Sequence, residues 1–213
     1  SGARRPTARA FRSALGAWVE PRTLLLGLVL LAGSLSEGTA TTWLSLAVVD
    51  GFAQPESVGA AVYATFLCAM TVFRILGSSL IDRFGRVVVL RASGASAFIG
   101  VLMLIFGPLA PFGWVGVVLW GFGAALGAPI AIAAASDDPA RAGERVSVVT
   151  SFSTIAALAA PPVLGLLVDQ VGALHALLVV AGAVVLSVSV AGATRRPPDD
   201  GDTLQTSPVR LPD

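Results

Sequence analysis

Six apolar stretches, each of about 20 residues or more, decide what this chain can fold into. They run Thr23–Leu46, Val58–Ile81, Val87–Phe106, Trp114–Ala135, Val146–Val168 and Leu174–Ala193. A helix rises about 1.5 Å per residue, so roughly 20 residues cross the hydrocarbon core of a bilayer, about 30 Å thick. Backbone groups in lipid must bond to one another, which makes helices of such segments. Composition agrees, with 55% hydrophobic and 13% charged residues, where a soluble domain carries about 25% charge. The expected fold is all-α, a polytopic membrane protein of six transmembrane helices. Short connections (Val49–Ser57, Gly107–Gly113, Ser136–Arg145 and Asp169–Ala173, with one further turn inside Gly77–Leu90) make consecutive helices antiparallel neighbours. Residues 1–22 read as a basic cytoplasmic connector, 23–194 as the six-helix bundle and 195–213 as a disordered tail.

Charge sets the orientation. All 14 basic residues are Arg, and none falls in Val49–Ser57, Gly107–Gly113 or Asp169–Ala173. Thirteen lie in the alternate connections and the two ends or, like Arg91, just beside the turn at the start of the next span; Arg74 alone sits deep within a span. Retention of positive residues on the cytoplasmic side explains this pattern and needs an even number of spans with both ends inside. The chain is therefore expected in the cytoplasmic (inner) membrane with cytoplasmic termini. Phe11, Leu15 and Trp18 share one helical face in the Arg-rich start, which reads either as an interfacial helix or as a basic connector. The chain opens Ser1-Gly2, and it is read as a piece of something longer.

The turn between the second and third spans recurs. Ser78-Ser79-Leu80-Ile81-Asp82-Arg83-Phe84-Gly85 has the pattern S-x-L-x-D-x-x-G, and Gly165-Leu166-Leu167-Val168-Asp169-Gln170-Val171-Gly172 has G-x-L-x-D-x-x-G. Three crossings separate the copies, so they lie on opposite membrane faces. Two inverted three-helix repeats have this property, with Gly165, Asp169 and Gly172 as counterparts of the first turn.

Asp82-Arg83-Phe84-Gly85-Arg86, between the second and third spans of a six-span unit, resembles the G-x-x-x-D-R-x-G-R loop motif of the major facilitator superfamily. Ser36–Trp43, Gly121–Pro129 and Ala160–Gly165 look like its carboxy-terminal half as well. The resemblance covers about residues 18–195. It departs at Ser78, where the motif has Gly, at Val87, where a further basic residue is usual, and at Thr42, where an Asp often precedes the Trp. It implies a secondary carrier of a small solute working by alternating access, with this chain as one six-helix half and a second half on the same or another polypeptide. It also implies that Asp82, Arg83, Gly85 and Arg86 help to latch two bundles together; without it, the turn is a cytoplasmic bend with its Arg on lipid phosphates.

Within the spans, Glu37 lies about 21 Å from the cytoplasmic end by helical rise, and a carboxylate at that depth faces a cavity or a partner. It is a candidate for proton coupling or solute contact, or a structural carboxylate. Arg74 lies about 12 Å into its span and could meet an acid or an anionic solute, or snorkel to the surface. A direct Glu37–Arg74 bridge is not expected, because their depths differ by on the order of 10 Å on the same rise. Trp43 and Trp120 are candidate cavity-lining residues. Gly123 and Gly127, at G-x-x-x-G spacing, suit close helix contact, while Pro129, Pro161 and Pro162 can kink or gate their spans.

Other classes fit less well. One His, His175, and one Cys, Cys68, cannot make a zinc site or a His-paired nucleophile. Neither H-E-x-x-H nor G-x-S-x-G occurs, so no enzyme, metal or cofactor is expected. The expected partners are the bilayer, a small-molecule solute and a second half, with no nucleic acid. The alternative is a six-span channel or a scaffold that transports nothing, and no filter sequence or charged pore ring supports it.

Overall fold

With no water in hydrocarbon to satisfy the backbone, the apolar runs continue as helix until polar residues reach the headgroups. The computed structural model, which describes residues 16–196, carries the apolar runs as long helices. Five helical segments are long and apolar enough to cross a membrane: Pro21–Phe52 (α1), Glu56–Phe84 (α2), Arg86–Phe106 (α3), Leu109–Ala135 and Ala142–Val171 (α6). The fourth contains a turn at Leu109–Gly113 and then two helices, Trp114–Ala125 (α4) and Gly127–Ala135 (α5), parted at Leu126. The sixth crossing is shorter and composite. Ala173–Ala176 (α7) and Leu178–Ser189 (α8) meet at Leu177, and a tight turn over Ala191–Thr194 follows. No strand occurs among the described residues. The loop expected over Val49–Ser57 shrinks to Ala53–Pro55, because α1 and α2 carry Asp50 and Glu56 as helical residues. Phe11, Leu15 and the tail beyond residue 196 lie outside the described residues.

α1 runs through the middle, packed on α2, α5, α6 and α8, while α3 packs on α4 and α8. Lipid tails are as apolar as Leu, so helices associate through close contact rather than hydrophobic exclusion. An added Cβ on Gly100 of α3 would meet the Gly116 carbonyl oxygen of α4, and one on Gly123 would meet Ala97 of α3. The expected Gly123–Gly127 face does not form as one seam. The break at Leu126 turns Gly127 away from α3 and toward Gly33 of α1, with its built Cβ 3.8 Å from the Gly33 Cα. α2 and α6 are the least buried of the five long segments. Val72, Ile75 and Leu76 on α2, with Ile155, Leu158 and Leu166 on α6, stand exposed.

The two related turns share one geometry. Gly85 has φ 79° and ψ 156°, and Gly172 has φ 81° and ψ 158°. Each Gly N–H donates to the carbonyl four residues back, Ile81 at 2.8 Å and Val168 at 2.9 Å, and the next helix starts at once. Only Gly adopts this backbone region without strain. The first turn lies at the end of the bundle that holds Arg195 and Arg196. The second follows α6 to the other end, where Leu174 packs on Gly51.

Ion pairs tie the Arg-rich end together. Asp137, after α5, has a side chain only 4% exposed, and it accepts from Arg22 Nη2 at 2.8 Å and Arg86 Nη1 at 2.6 Å. Arg22 also donates through Nε to the Ala193 carbonyl at 3.1 Å. Beside this cluster Arg145 grips both Glu20 oxygens, at 2.9 and 2.7 Å, and reaches Asp138 at 3.4 Å. Burial tends to raise the Glu20 pKa. Hydrogen bonds from Arg145 and Thr23, with the charges of Arg145 and Arg141, outweigh burial and hold it below its ordinary value.

Three outcomes follow for stability in detergent. Gly85→Ala and Gly172→Ala should each cost about 1–3 kcal/mol, read as a lowered Tm, through backbone strain alone, since nothing lies within 4 Å of either added Cβ. Gly165→Ala, equally open but without a positive φ, should be neutral or stabilising. Asp137→Asn leaves two Arg uncompensated and should cost about 2–3 kcal/mol, less than a fully buried pair because both Arg retain some solvent. A carboxylate with a depressed folded pKa stabilises above its unfolded pKa, and that stabilisation is lost as pH falls through the folded value. The Glu20 contribution should therefore be intact above the ordinary value of 4.5 and fade below it; pH-resolved melting of Glu20→Gln should show a smaller loss in acid than the parent.

Candidate functional site

Glu37 and Arg74 meet. Arg74 Nη2 donates to Glu37 Oε2 at 2.8 Å, joining α1 to α2, and the side chains are 41% (Arg74) and 37% (Glu37) exposed. The depth argument against this bridge fails because it counts helical rise and neglects side-chain direction. Every Cα–Cβ bond tilts toward its helix N-terminus. On antiparallel α1 and α2 these tilts oppose one another, so Glu37 leans toward one end of the bundle and Arg74 toward the other. The long Arg side chain closes the remaining gap.

Arg74 has a second partner. Pro129 carries no N–H, so the carbonyl of Ala125, four residues earlier, loses its helical donor. Arg74 Nε supplies one at 3.2 Å. One guanidinium thus holds the break between α4 and α5 and pairs with the carboxylate of α1. Pro129 here acts through the acceptor that it frees.

A groove lies on each side of the pair. One, of about 380 Å³, runs between α1 and α6 and is lined by Glu37, Ser34, Trp43, Ser153 and Ala157 among others. Ser34 donates to Ser153 at 2.9 Å across it. Pro161 and Pro162 lie inside a continuous α6 and deprive the Ala157 and Leu158 carbonyls of their usual donors. Trp43 is half-buried on this groove, and its Nε1 has no partner among the described residues. The other groove, of about 580 Å³, lies between α2 and the α4–α5 break and is lined by Arg74, Ser78, Leu126, Pro129 and Ile132 among others.

Trp120 is elsewhere. It is wholly buried, packed edge-on against Phe66 with ring centroids 5.3 Å apart, and its Nε1 donates to Ser36 at 2.9 Å. It lines neither groove, because the neighbouring Gly121 lets α2 approach closely enough to cover it. In the first turn, Arg86 is committed to Asp137, while Arg83 stacks over its neighbour Phe84 at 5.3 Å. Asp82 is exposed and has no ion-pair partner among the described residues; it borders a depression of about 380 Å³ with Arg86, Arg195 and Arg196. Asp169 is likewise exposed. The residues that sequence reasoning passed over are Asp137, Asp138 and Glu20. The adjacent Asp137-Asp138, beside Arg141 and Arg145 in a short connection, was the available signal.

Comparison with known proteins agrees with this architecture. The family model described as Major Facilitator Superfamily matches residues 7–211. An uncharacterised transporter, y4wD, of Sinorhizobium fredii is 37% identical over 146 residues, 68% of this chain and 39% of that protein. An uncharacterised MFS-type transporter of Yersinia pestis is 27% identical over 182 residues, 84% of this chain and 46% of that protein. Among solved structures, the major facilitator transporter FucP in its outward conformation superposes with a TM-score of 0.76 at 17% identity, over 92% of this chain and 47% of its own. The chain thus spans less than half the length of each of these proteins. An all-α bundle with two matching Gly turns and a family match over nearly its whole length make this chain a member of the major facilitator superfamily.

Proposed function

We propose that the chain is one six-helix half of a secondary carrier that moves a small solute by alternating access. The observation that carries this reading is the Glu37–Arg74 pair, standing half-exposed between two grooves on the side of the bundle where α2 and α6 are least covered. A charge pair in mid-span is costly unless it faces a cavity or serves a function. The exposed Ile75, Leu158 and Leu166 supply an apolar rim for a second bundle, and the length of the relatives beyond the part they share with this chain leaves room for one. Glu37 and Arg74 act in solute contact or proton coupling, and Trp43 forms part of the cavity wall. Asp82, exposed beside Arg195 and Arg196, is the turn residue available to contact the other bundle, while Arg86 is held by Asp137. Arg placement supports a reading with the Asp82 turn and both ends on the cytoplasmic side of an inner membrane.

The test is saturable solute counterflow in proteoliposomes. A second six-helix bundle together with this chain should support it, and this chain alone should not. Saturable uptake by the monomeric chain alone overturns the half-carrier reading. Unsaturable ion conductance of the assembled protein in single-channel recording overturns the carrier reading itself.

A further inference from the structure

The two grooves carry opposite charges, and this points to the solute. Glu37 belongs to the α1–α6 groove and Arg74 to the α2–α5 groove, so the 2.8 Å pair is the ridge between them. Their linings differ in the same sense. The polar groups of the α1–α6 groove are acceptors in the main: the Glu37 carboxylate and the Ser34 and Ser153 hydroxyls, with Ala157, whose carbonyl Pro161 relieves of its donor, on the same wall. It also has the Trp43 ring, and such a lining suits an ammonium group. The α2–α5 groove is apolar at Leu126, Pro129 and Ile132, with the guanidinium as its one charged group. That lining suits a carboxylate on an apolar skeleton.

Neutrality narrows the choice further. A lone cation on Glu37 would leave Arg74 without its acid, and a lone anion on Arg74 would leave Glu37 without its base. Either strands a charge within the membrane. A solute carrying both charges exchanges partners and leaves none unpaired. The Ala125 carbonyl keeps Arg74 in place during that exchange, since its 3.2 Å bond to Nε does not involve Nη2, the nitrogen that holds Glu37. We propose that the Glu37–Arg74 ridge is a binding site for a small zwitterion, its ammonium on Glu37 in the α1–α6 groove and its carboxylate on Arg74 in the α2–α5 groove. The assignment rests on the carrier reading above.

The experiment uses the intact polypeptide that contains this chain, purified in detergent and probed by ligand-dependent shifts in Tm. L-Alanine, L-leucine and L-phenylalanine are each set against the amine and the acid of the same carbon skeleton. At least one zwitterion should bind tenfold or more tightly than both of its counterparts. Glu37→Gln should abolish that preference and strengthen binding of the acid, while Arg74→Gln should abolish it in favour of the amine. If no zwitterion outranks its amine and acid, or if the ranking survives both substitutions, the proposal is overturned. The wild-type ranking alone decides where a variant does not fold. Counterflow separates this proposal from the reading beneath it. Saturable flux of a singly charged or uncharged solute, with no zwitterion bound, overturns the zwitterion assignment and leaves the carrier standing. Absence of saturable flux for every solute overturns both.

Discussion

Every backbone carbonyl and N–H inside hydrocarbon needs a partner, and the middle of this bundle is arranged around the three places where proline removes one. Pro129 is the case in which the protein supplies the replacement. The freed Ala125 carbonyl recruits Arg74 from a neighbouring helix, and the guanidinium, brought into mid-span for that purpose, draws Glu37 to it. A backbone defect, a cation and an acid thus form one connected unit across α1, α2 and the α4–α5 break. In α6, Pro161 and Pro162 free the carbonyls of Ala157, which lines a groove, and of Leu158, which is exposed, so that solute or water can serve as donor. The same chemical vacancy is closed in one helix and left open in another. That contrast separates scaffold from lining.

The remaining helix contacts depend on small residues. Gly100 against Gly116, Gly123 against Ala97 and Gly121 against Phe66 bring backbones so close that a Cβ has no room. Such contacts replace the hydrophobic driving force that a bilayer does not provide. They also explain why α3 and α4 form a tightly packed pair while α2 and α6, with fewer buried positions, present Ile75 and Leu158 outward.

What could be read from the sequence was local. The spans follow from apolar length, and the Asp82 and Asp169 turns from eight consecutive residues each, because a Gly in a special backbone region states its requirement on its own. The ion pairs were less legible. Helical rise places Cα atoms but not charged groups, so antiparallel neighbours whose side chains lean toward one another looked too far apart. Asp137 finds Arg86 and Arg22 at separations of 51 and 115 residues, and no local pattern encodes such partners. Trp120 illustrates a third limit. An indole looks the same in sequence whether it lines a cavity or fills a core, and only the approach of α2 at Gly121 decides which.

Asp137 sits in the connection between the fourth and fifth crossings, within the second three-helix unit. One oxygen holds Arg22 at the start of α1, and the other holds Arg86 at the start of α3, while the residue itself belongs to the connection that leads into α6. The carboxylate is therefore a rivet through the seam of the two repeats, placed at one end only. At the opposite end the second Gly turn carries Asp169 and no Arg, so nothing equivalent clamps it among the described residues. Load applied at the riveted end is carried by charged groups shared among the helices that converge there, whereas the far end is held by apolar contacts such as Leu174 on Gly51.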